Sequence, residues 1–219
     1  MPNWVYNDLS IEGNAEDIAR LKGQLNSPFT RQHEQWNAEN NIYETKDITF
    51  SNPIFAFWNI IKPTDLEEYN KAADQNNMNN PLNWYQWNLA NWGTKWDVAV
   101  SDIEEYPETE LADEDETFLH YHFNTAWGVA DKALINLSSQ YPDITLILSF
   151  EEETGWGGEW VIKNGELVSQ DEYGWQCREC DHTEDETPWC DDCEFDICPS
   201  CGYNDSSEPC ETHKEKENA

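Results

Sequence analysis

Phe118-Leu-His-Tyr-His-Phe-Asn124 alternates two sets of side chains, and Ile144-Thr-Leu-Ile-Leu-Ser-Phe150 is apolar and rich in β-branched residues. Between them, Gly128–Tyr141 repeats apolar residues at helical spacing. The alternation predicts a strand with Leu119, Tyr121 and Phe123 on one face and Phe118, His120 and His122 on the other. The middle segment predicts a helix whose buried stripe is Ala130, Ala133, Leu134 and Leu137. A strand, a helix and a second strand in quick succession set the pattern for the rest.

Outward from this unit, Trp4 to Glu12 reads as a strand, with Val5, Asn7, Leu9 and Ile11 in alternate positions and Gly13 ending it. Ala15 to Leu25 follows as an amphipathic helix, capped by Asn14 and burying Ile18, Leu21 and Leu25. Beyond Phe150, Gly155, Gly157 and Gly158 predict a turn, and Trp160-Val-Ile-Lys163 returns as the last main strand. Asn164-Gly165 then signals a hairpin to Leu167-Val168. The order is β-α, insertion, β-β-α-β-β, an α+β domain with an antiparallel sheet and two main helices.

The insertion is less regular. Residues 26–48 are polar and carry no clear period; Ile48–Ile54 reads as a strand broken by Pro53. Pro63–Asn70 reads as a short helix with Thr64 as cap and Glu67 completing a capping box. Residues 74–81 form a loop by composition. Asn83–Trp96 is dense in tryptophan, and Asp97–Val100 leads toward a strand. Asp102–Glu116 holds nine carboxylates and predicts a solvated hairpin loop.

Charge narrows the function classes. Twelve Lys and Arg stand against 45 Asp and Glu, for a formal net charge of −33 and a pI of about 4.1. Phosphate contacts need clustered basic residues, so direct nucleic-acid binding is disfavoured. An acidic surface suits a basic partner, including the DNA-binding face of another protein. Twelve tryptophans are far more than an acidic disordered chain carries. No signal peptide or membrane-spanning run is visible, and thiol pairs at metal spacing fit a reducing compartment, so a cytoplasmic location is expected.

The C-terminal quarter carries the sharpest motif. It reads Cys177-x2-Cys180-x9-Cys190-x2-Cys193-x4-Cys198-x2-Cys201-x8-Cys210-x2-His213, and all seven cysteines of the chain lie in it. A Cys-x2-Cys turn puts both sulfurs on one side of a tight loop, where Zn²⁺ takes them at about 2.3 Å. An odd number of thiols suits disulfides poorly, but eight ligands for two structural zinc ions result if His213 joins them. His182 is a spare ligand. The expected division is a sheet domain at 1–170, a zinc module at 171–214 and a tail at 215–219.

Cys190-Asp-Asp-Cys193-Glu-Phe-Asp-Ile-Cys198-Pro-Ser-Cys201 resembles the ZZ-type zinc finger. The resemblance implies a cross-braced arrangement. Cys177, Cys180, Cys198 and Cys201 would hold one zinc, and Cys190, Cys193, Cys210 and His213 the other. The chain ends in a Cys and a His where that family usually supplies two histidines, so a sequential pairing stays open. In ZZ fingers, acids near the central motif receive a positively charged protein N-terminus, and Glu194 and Asp196 stand at matching positions. Arg178 stands where peptide-reading members tend to place an acid.

The first 168 residues resemble the YubB-type family of plasmid and phage proteins. The resemblance rests on the opening Met1-Pro-Asn-Trp4 and on Trp92-Gly-Thr-Lys-Trp96, Phe123-Asn-Thr-Ala-Trp127 and Asn164-Gly-Glu-Leu-Val168. It implies a ferredoxin-like fold and a mobile-element context, without a settled activity to carry over.

Two further constellations bear on chemistry. Lys95, Trp96, Asp97, Thr125, Trp127, Glu151, Glu152 and Trp160 could gather near strand ends as a tryptophan-lined pocket, where carboxylates work as acid or base. The plainer reading makes the tryptophans core and the carboxylates a solvated strand end. His120 and His122 share a strand face and could bind a metal, but no third ligand sits at a fixed spacing. Phosphate-binding and nucleophile-elbow motifs are absent from the sequence.

The reading these features favour is a non-enzymatic accessory protein of a phage or mobile element. It would bind a basic protein surface or a basic N-terminal peptide through acidic faces and a structural two-zinc module, with nucleic-acid mimicry as one specific form. The alternative is a small-ligand or nucleotide-handling enzyme built around Lys95, Trp127 and Glu152. No membrane or direct nucleic-acid contact is expected, and the sequence leaves the oligomeric state open.

Overall fold

The computed structural model describes residues 3–74, 79–99, 108–177, 182–184, 189–190, 195–196, 198 and 200. Its centre is β1 (Trp4–Glu12), flanked by β5 (Phe118–Ala126) and β6 (Thr145–Glu152), both antiparallel to it. Leu9 sits opposite Tyr121 on one side and Leu148 on the other, so the apolar alternations of three strands coincide on one face. Adding β4 (Thr109–Glu114), β7 (Gly157–Lys163) and β8 (Glu166–Tyr173) gives a six-stranded sheet in the order β4-β5-β1-β6-β7-β8.

α1 (Ala15–Leu25) and α4 (Asp131–Gln140) cover the apolar face. Ile18, Leu21 and Leu25 of α1 and Ala133, Leu134 and Leu137 of α4 join Val5, Leu9, Ile11, Leu119, Phe123 and Leu148 in one core. With these helices, β1, β4, β5 and β6 make a ferredoxin-like β-α-β-β-α-β unit, and β7 and β8 extend its sheet by hairpins. The Asn14 side chain accepts from the Asp17 amide and caps α1 as its sequence predicts. Asn164 and Gly165 both have positive φ (51° and 76°), the backbone a two-residue type I′ hairpin requires.

The insertion adds a hairpin of β2 (Phe29–Asn37) and β3 (Ile42–Phe50), a 3-10 turn at Phe57–Asn59, and helices α2 (Leu66–Asp74) and α3 (Trp84–Asn91). Its aromatics continue the main core: Trp87 meets Trp92 edge-on at 5.5 Å, and Tyr69 meets Trp87 at 5.7 Å. The buried indole N–H of Trp92 donates to the Ile61 carbonyl at 3.0 Å, so the largest buried side chain is also hydrogen-bonded.

Several expectations change. Beside the two main helices, the short helix expected at 63–70 runs over Leu66–Asp74, and the tryptophan-dense stretch adds a fourth described helix, Trp84–Asn91. The polar stretch 26–48 holds β2 and most of β3, and β3 ends at Phe50, before Pro53. The acidic tract is not all loop. Thr109–Glu114 is the sheet's edge strand, with only Thr109 buried and its hydroxyl donating to the Val98 carbonyl at 2.7 Å. An edge strand open to water can carry carboxylates and stay paired on one side, and its charge blocks further pairing. Residues 101–107 of that tract lie outside the described residues. No strand forms over 97–99. α2 is capped by Asp65, whose carboxylate accepts from the Glu68 amide at 3.0 Å, and not by Thr64. α4 begins at Asp131 rather than Gly128, and Gly157 and Gly158 belong to β7 rather than to the turn before it. Among the described residues, no helix is long and apolar enough to cross a membrane.

Candidate functional site on the open sheet face

The sheet face away from the helices carries the polar half of each alternation. Along β1 these residues are Trp4, Tyr6, Asp8, Ser10 and Glu12; β5 contributes Phe118, His120, His122 and Asn124. Register then sets the neighbours. Asp8 lies opposite His122 on β5 and opposite Ser149 on β6, and Ser10 lies opposite His120. Directly opposed residues share a face and touch.

A concavity of about 670 Å³ opens on this face. Asp8, Glu151, Glu159, Asp171 and Glu172 line it with Tyr6, Tyr173 and Thr183, and among the described residues no lysine or arginine lines it. Glycine shapes the wall: a Cβ on Gly158 would stand 2.3 Å from the Asp171 carbonyl and 3.0 Å from the Glu172 Cα. Burial, with the Glu151 carboxylate adding to it, pushes the Tyr173 phenol above its usual range. The surface thus concentrates negative charge in a hollow, which attracts cations.

Beside the concavity, Asp8 meets two histidines. The side-chain ligand atoms of Asp8, His120 and His122 all lie within 4.8 Å of one another. Asp8 Oδ1 is 3.6 Å from His120 Nε2 and in closer contact with His122 Nδ1. The third ligand that sequence spacing did not supply comes from β1, across the strand pairing. The period-2 pattern of β1 puts Asp8 on the polar face, but nothing in the sequence gives the register that places it against His122.

The tryptophan-lined constellation is only partly assembled. Lys95 Nζ stands 4.3 Å from the ring centroids of both Trp96 and Trp127, a double cation–π contact. Tyr85 extends the stack beyond Trp127, and Trp4 beyond Trp96. Trp127 adopts φ = 68° and is half exposed. The other members are engaged elsewhere. Thr125 accepts from the Asn7 amide at 3.0 Å, and the buried Glu152 carboxylate is taken by the Thr154 amide and hydroxyl. Trp160 packs on Phe150 and donates to Glu172 at 2.8 Å. The Asp97 carboxylate accepts from the amides of Phe57, Trp58 and Val98 and serves as an internal cap. Glu151 turns to the open face. Glu152, Thr125 and Trp160 thus spend their polar groups on partners other than Lys95.

In the C-terminal quarter, Cys177 and Cys198 are buried and pack with Trp175 in a small cluster of their own. β9 (Trp175–Gln176) pairs with β10 (Thr183–Glu184), and the Cys177 amide donates to the His182 carbonyl at 2.8 Å, next to that ladder. β11 (Trp189–Cys190) pairs with β12 (Phe195–Asp196), with Cys190 opposite Phe195. Cys180, Cys193, Cys201, Cys210, His213 and Glu194 lie outside the described residues, and of Asp196 only the backbone is described.

No curated protein and no solved structure matches the chain. The family described as a ferredoxin-like domain in Api92-like protein matches residues 95–192, which run from the lysine between the two tryptophans through β4–β8 to the third cysteine. The chain carries a ferredoxin-like domain similar to that of the Api92-like proteins.

Proposed function

We propose that this chain is a non-enzymatic accessory protein that binds a basic protein partner through the open face of its sheet. The observation that carries the reading is the concavity, with five carboxylates lining it and neither lysine nor arginine among its described lining residues. A cationic side chain or N-terminal ammonium entering it meets charge-assisted acceptors on several sides, with Tyr6 and Tyr173 to pack its aliphatic part. The apolar face of the sheet is spent on α1 and α4, which leaves the opposite face with the polar half of each alternation.

The C-terminal quarter would form a structural two-zinc module, and Thr183 of its first hairpin lines the concavity. Its donor set, seven thiols and a histidine, suits Zn²⁺. Burial of Cys177 together with Cys198 favours the cross-braced pairing, in which these two share an ion; a sequential pairing separates them. Glu194 and Asp196 would extend the acidic contact. A phage or mobile-element origin and displacement of nucleic acid from the partner are the specific forms this reading takes.

The test is binding of basic N-terminal peptides to the full chain, with duplex DNA as competitor at graded salt. Mimicry requires affinity to fall steeply with salt, as a multi-charge interface does. Charge reversal at Glu151, Glu159 and Asp171 should weaken binding at least tenfold. Unchanged binding by that triple variant removes the open face from the interface.

A further inference from the structure

We propose that Asp8, His120 and His122 bind one divalent first-row transition-metal ion, of the Zn²⁺ class, on the open sheet face. The set is two imidazoles and one carboxylate, a donor combination that holds such ions with coordination positions left open. Ligand atoms about 2.0–2.1 Å from a metal sit roughly 3 Å from one another, and the 3.6 Å between Asp8 Oδ1 and His120 Nε2 is close to that.

Three features suit the cluster to an ion. First, Asp8 Oδ1 faces a ring nitrogen from each histidine, so acceptor atoms converge on one point and a cation there satisfies all of them. Second, Ser10 Oγ lies 2.9 Å from His120 Nδ1, the ring nitrogen turned away from the carboxylate. A partner on the remote nitrogen fixes the ring and leaves Nε2 to the ion, the usual outer-shell device for a ligating histidine. Third, the surroundings are negative. Glu110 and Asp113 of β4 lie opposite His122 and His120, and Ser149 of β6, opposite Asp8, reaches Glu159 at 3.4 Å. No Lys or Arg occurs between Trp96 and Asp131 to occupy the cluster in place of a metal.

The ligands come from adjacent strands of the sheet centre, so the backbone holds them in place. Their side chains remain partly open (25% for His120, 43% for His122 and 50% for Asp8), which lets an ion exchange and keeps positions for water or a partner's donor group. Asp8 also lines the acidic concavity, so the ion would sit at its edge. This site is separate from the cysteine module in both residues and donor chemistry.

The experiment follows the ring ¹H–¹⁵N signals of His120 and His122 in the full-length protein, its cysteine sites left loaded as purified, during titration with Zn²⁺. Both rings should shift saturably with one added equivalent. A His120→Ala/His122→Ala variant should bind that equivalent at least about 100-fold more weakly, and Ser10→Ala about tenfold, since outer-shell partners alone are worth roughly 10–100-fold. These side chains lie outside the core, and thermal unfolding of each variant checks that the fold persists. Rings unmoved through millimolar Zn²⁺ would overturn the assignment and leave a plain histidine–carboxylate hydrogen-bond cluster. Undiminished binding by the double variant would overturn it too. Neither outcome depends on a basic partner.

Discussion

The carboxylate of Asp97 accepts the backbone N–H of Phe57 at 2.7 Å, tying the start of the 3-10 turn to a segment 40 residues later. Trp58, Val98 and Ala99 donate to the same carboxylate. An acceptor buried among four amides locks the insertion onto the main domain. Asp97→Ala orphans those buried donors and should cost about 3 kcal/mol or more. Asp97→Asn keeps one acceptor oxygen and should cost less. Urea unfolding of the two variants decides the order, and equal losses would mean the packing, not the hydrogen bonds, is what matters.

Lys95 holds its ammonium between Trp96 and Trp127, and desolvation lowers its pKa from the ordinary lysine value. A cation whose folded pKa is depressed costs stability while protonated, and that cost is relieved as pH rises through the folded pKa toward the unfolded value of about 10.4. NMR titration of the lysine Nζ groups should find Lys95 deprotonating before the exposed Lys71, whose pKa is raised by Glu67 and Glu68. Trp127→Gly removes one wall of the stack and relieves the positive φ, and should return Lys95 toward ordinary behaviour.

Tyr121 is fully buried, and its hydroxyl has no hydrogen-bond partner among the described residues. Burial raises its pKa and carries that of Tyr69 to about 12, from a reference of 10.0. Their contribution to stability is therefore complete below pH of about 10 and is lost as pH climbs toward 12 and beyond. Tyr121→Phe should leave stability unchanged or raise it by up to about 1 kcal/mol, because nothing is unpaired by the change. A larger loss in thermal unfolding would show that the hydroxyl is satisfied.

Gly93 has φ = +88°, and a Cβ there would lie 2.9 Å from the Val129 carbonyl and 3.1 Å from the Asp131 amide. Both conformation and space forbid a side chain where the loop after α3 meets the start of α4. Gly93→Ala should destabilise by roughly 2 kcal/mol, more than its gain in unfolded-state entropy can offset. A neutral result in calorimetry would mean the loop shifts freely.

If the cysteine module holds the zinc ions proposed for it, their removal should act locally. Trp175, Cys177 and Cys198 form a cluster apart from the main core, so a chelator should melt the C-terminal quarter while amide protection in β1, β5 and β6 persists. Cross-bracing makes a further demand on metal content. Cys177→Ser with Cys198→Ser should release one ion together, whereas Cys177→Ser with Cys190→Ser should release two. The reverse outcome supports sequential pairing.

Local chemistry made much of this legible. The bounds of β1 and α1 follow from period-2 and helical spacing, a glycine stop and an asparagine cap, all within 22 residues of chain. The Asn164-Gly165 turn follows from what backbone those residues tolerate. The cysteine pairs are visible because each is a short-range motif. By contrast, β4 has no apolar alternation to reveal it: its carboxylates face water, and only the free edge of β5 makes Thr109–Glu114 a strand.

The amino-acid sequence by itself determined which residues alternate, which turn, where the Cys-x2-Cys motifs lie and how negative the chain is, because each depends on neighbours along the chain. Tertiary structure alone decided that Asp8 faces His122, that Lys95 lies between two tryptophans, and that the buried Glu152 carboxylate is taken by Thr154. Those relationships depend on strand register and on one positive φ, and register is set by the summed burial of the whole inner face rather than by any residue on the outer one.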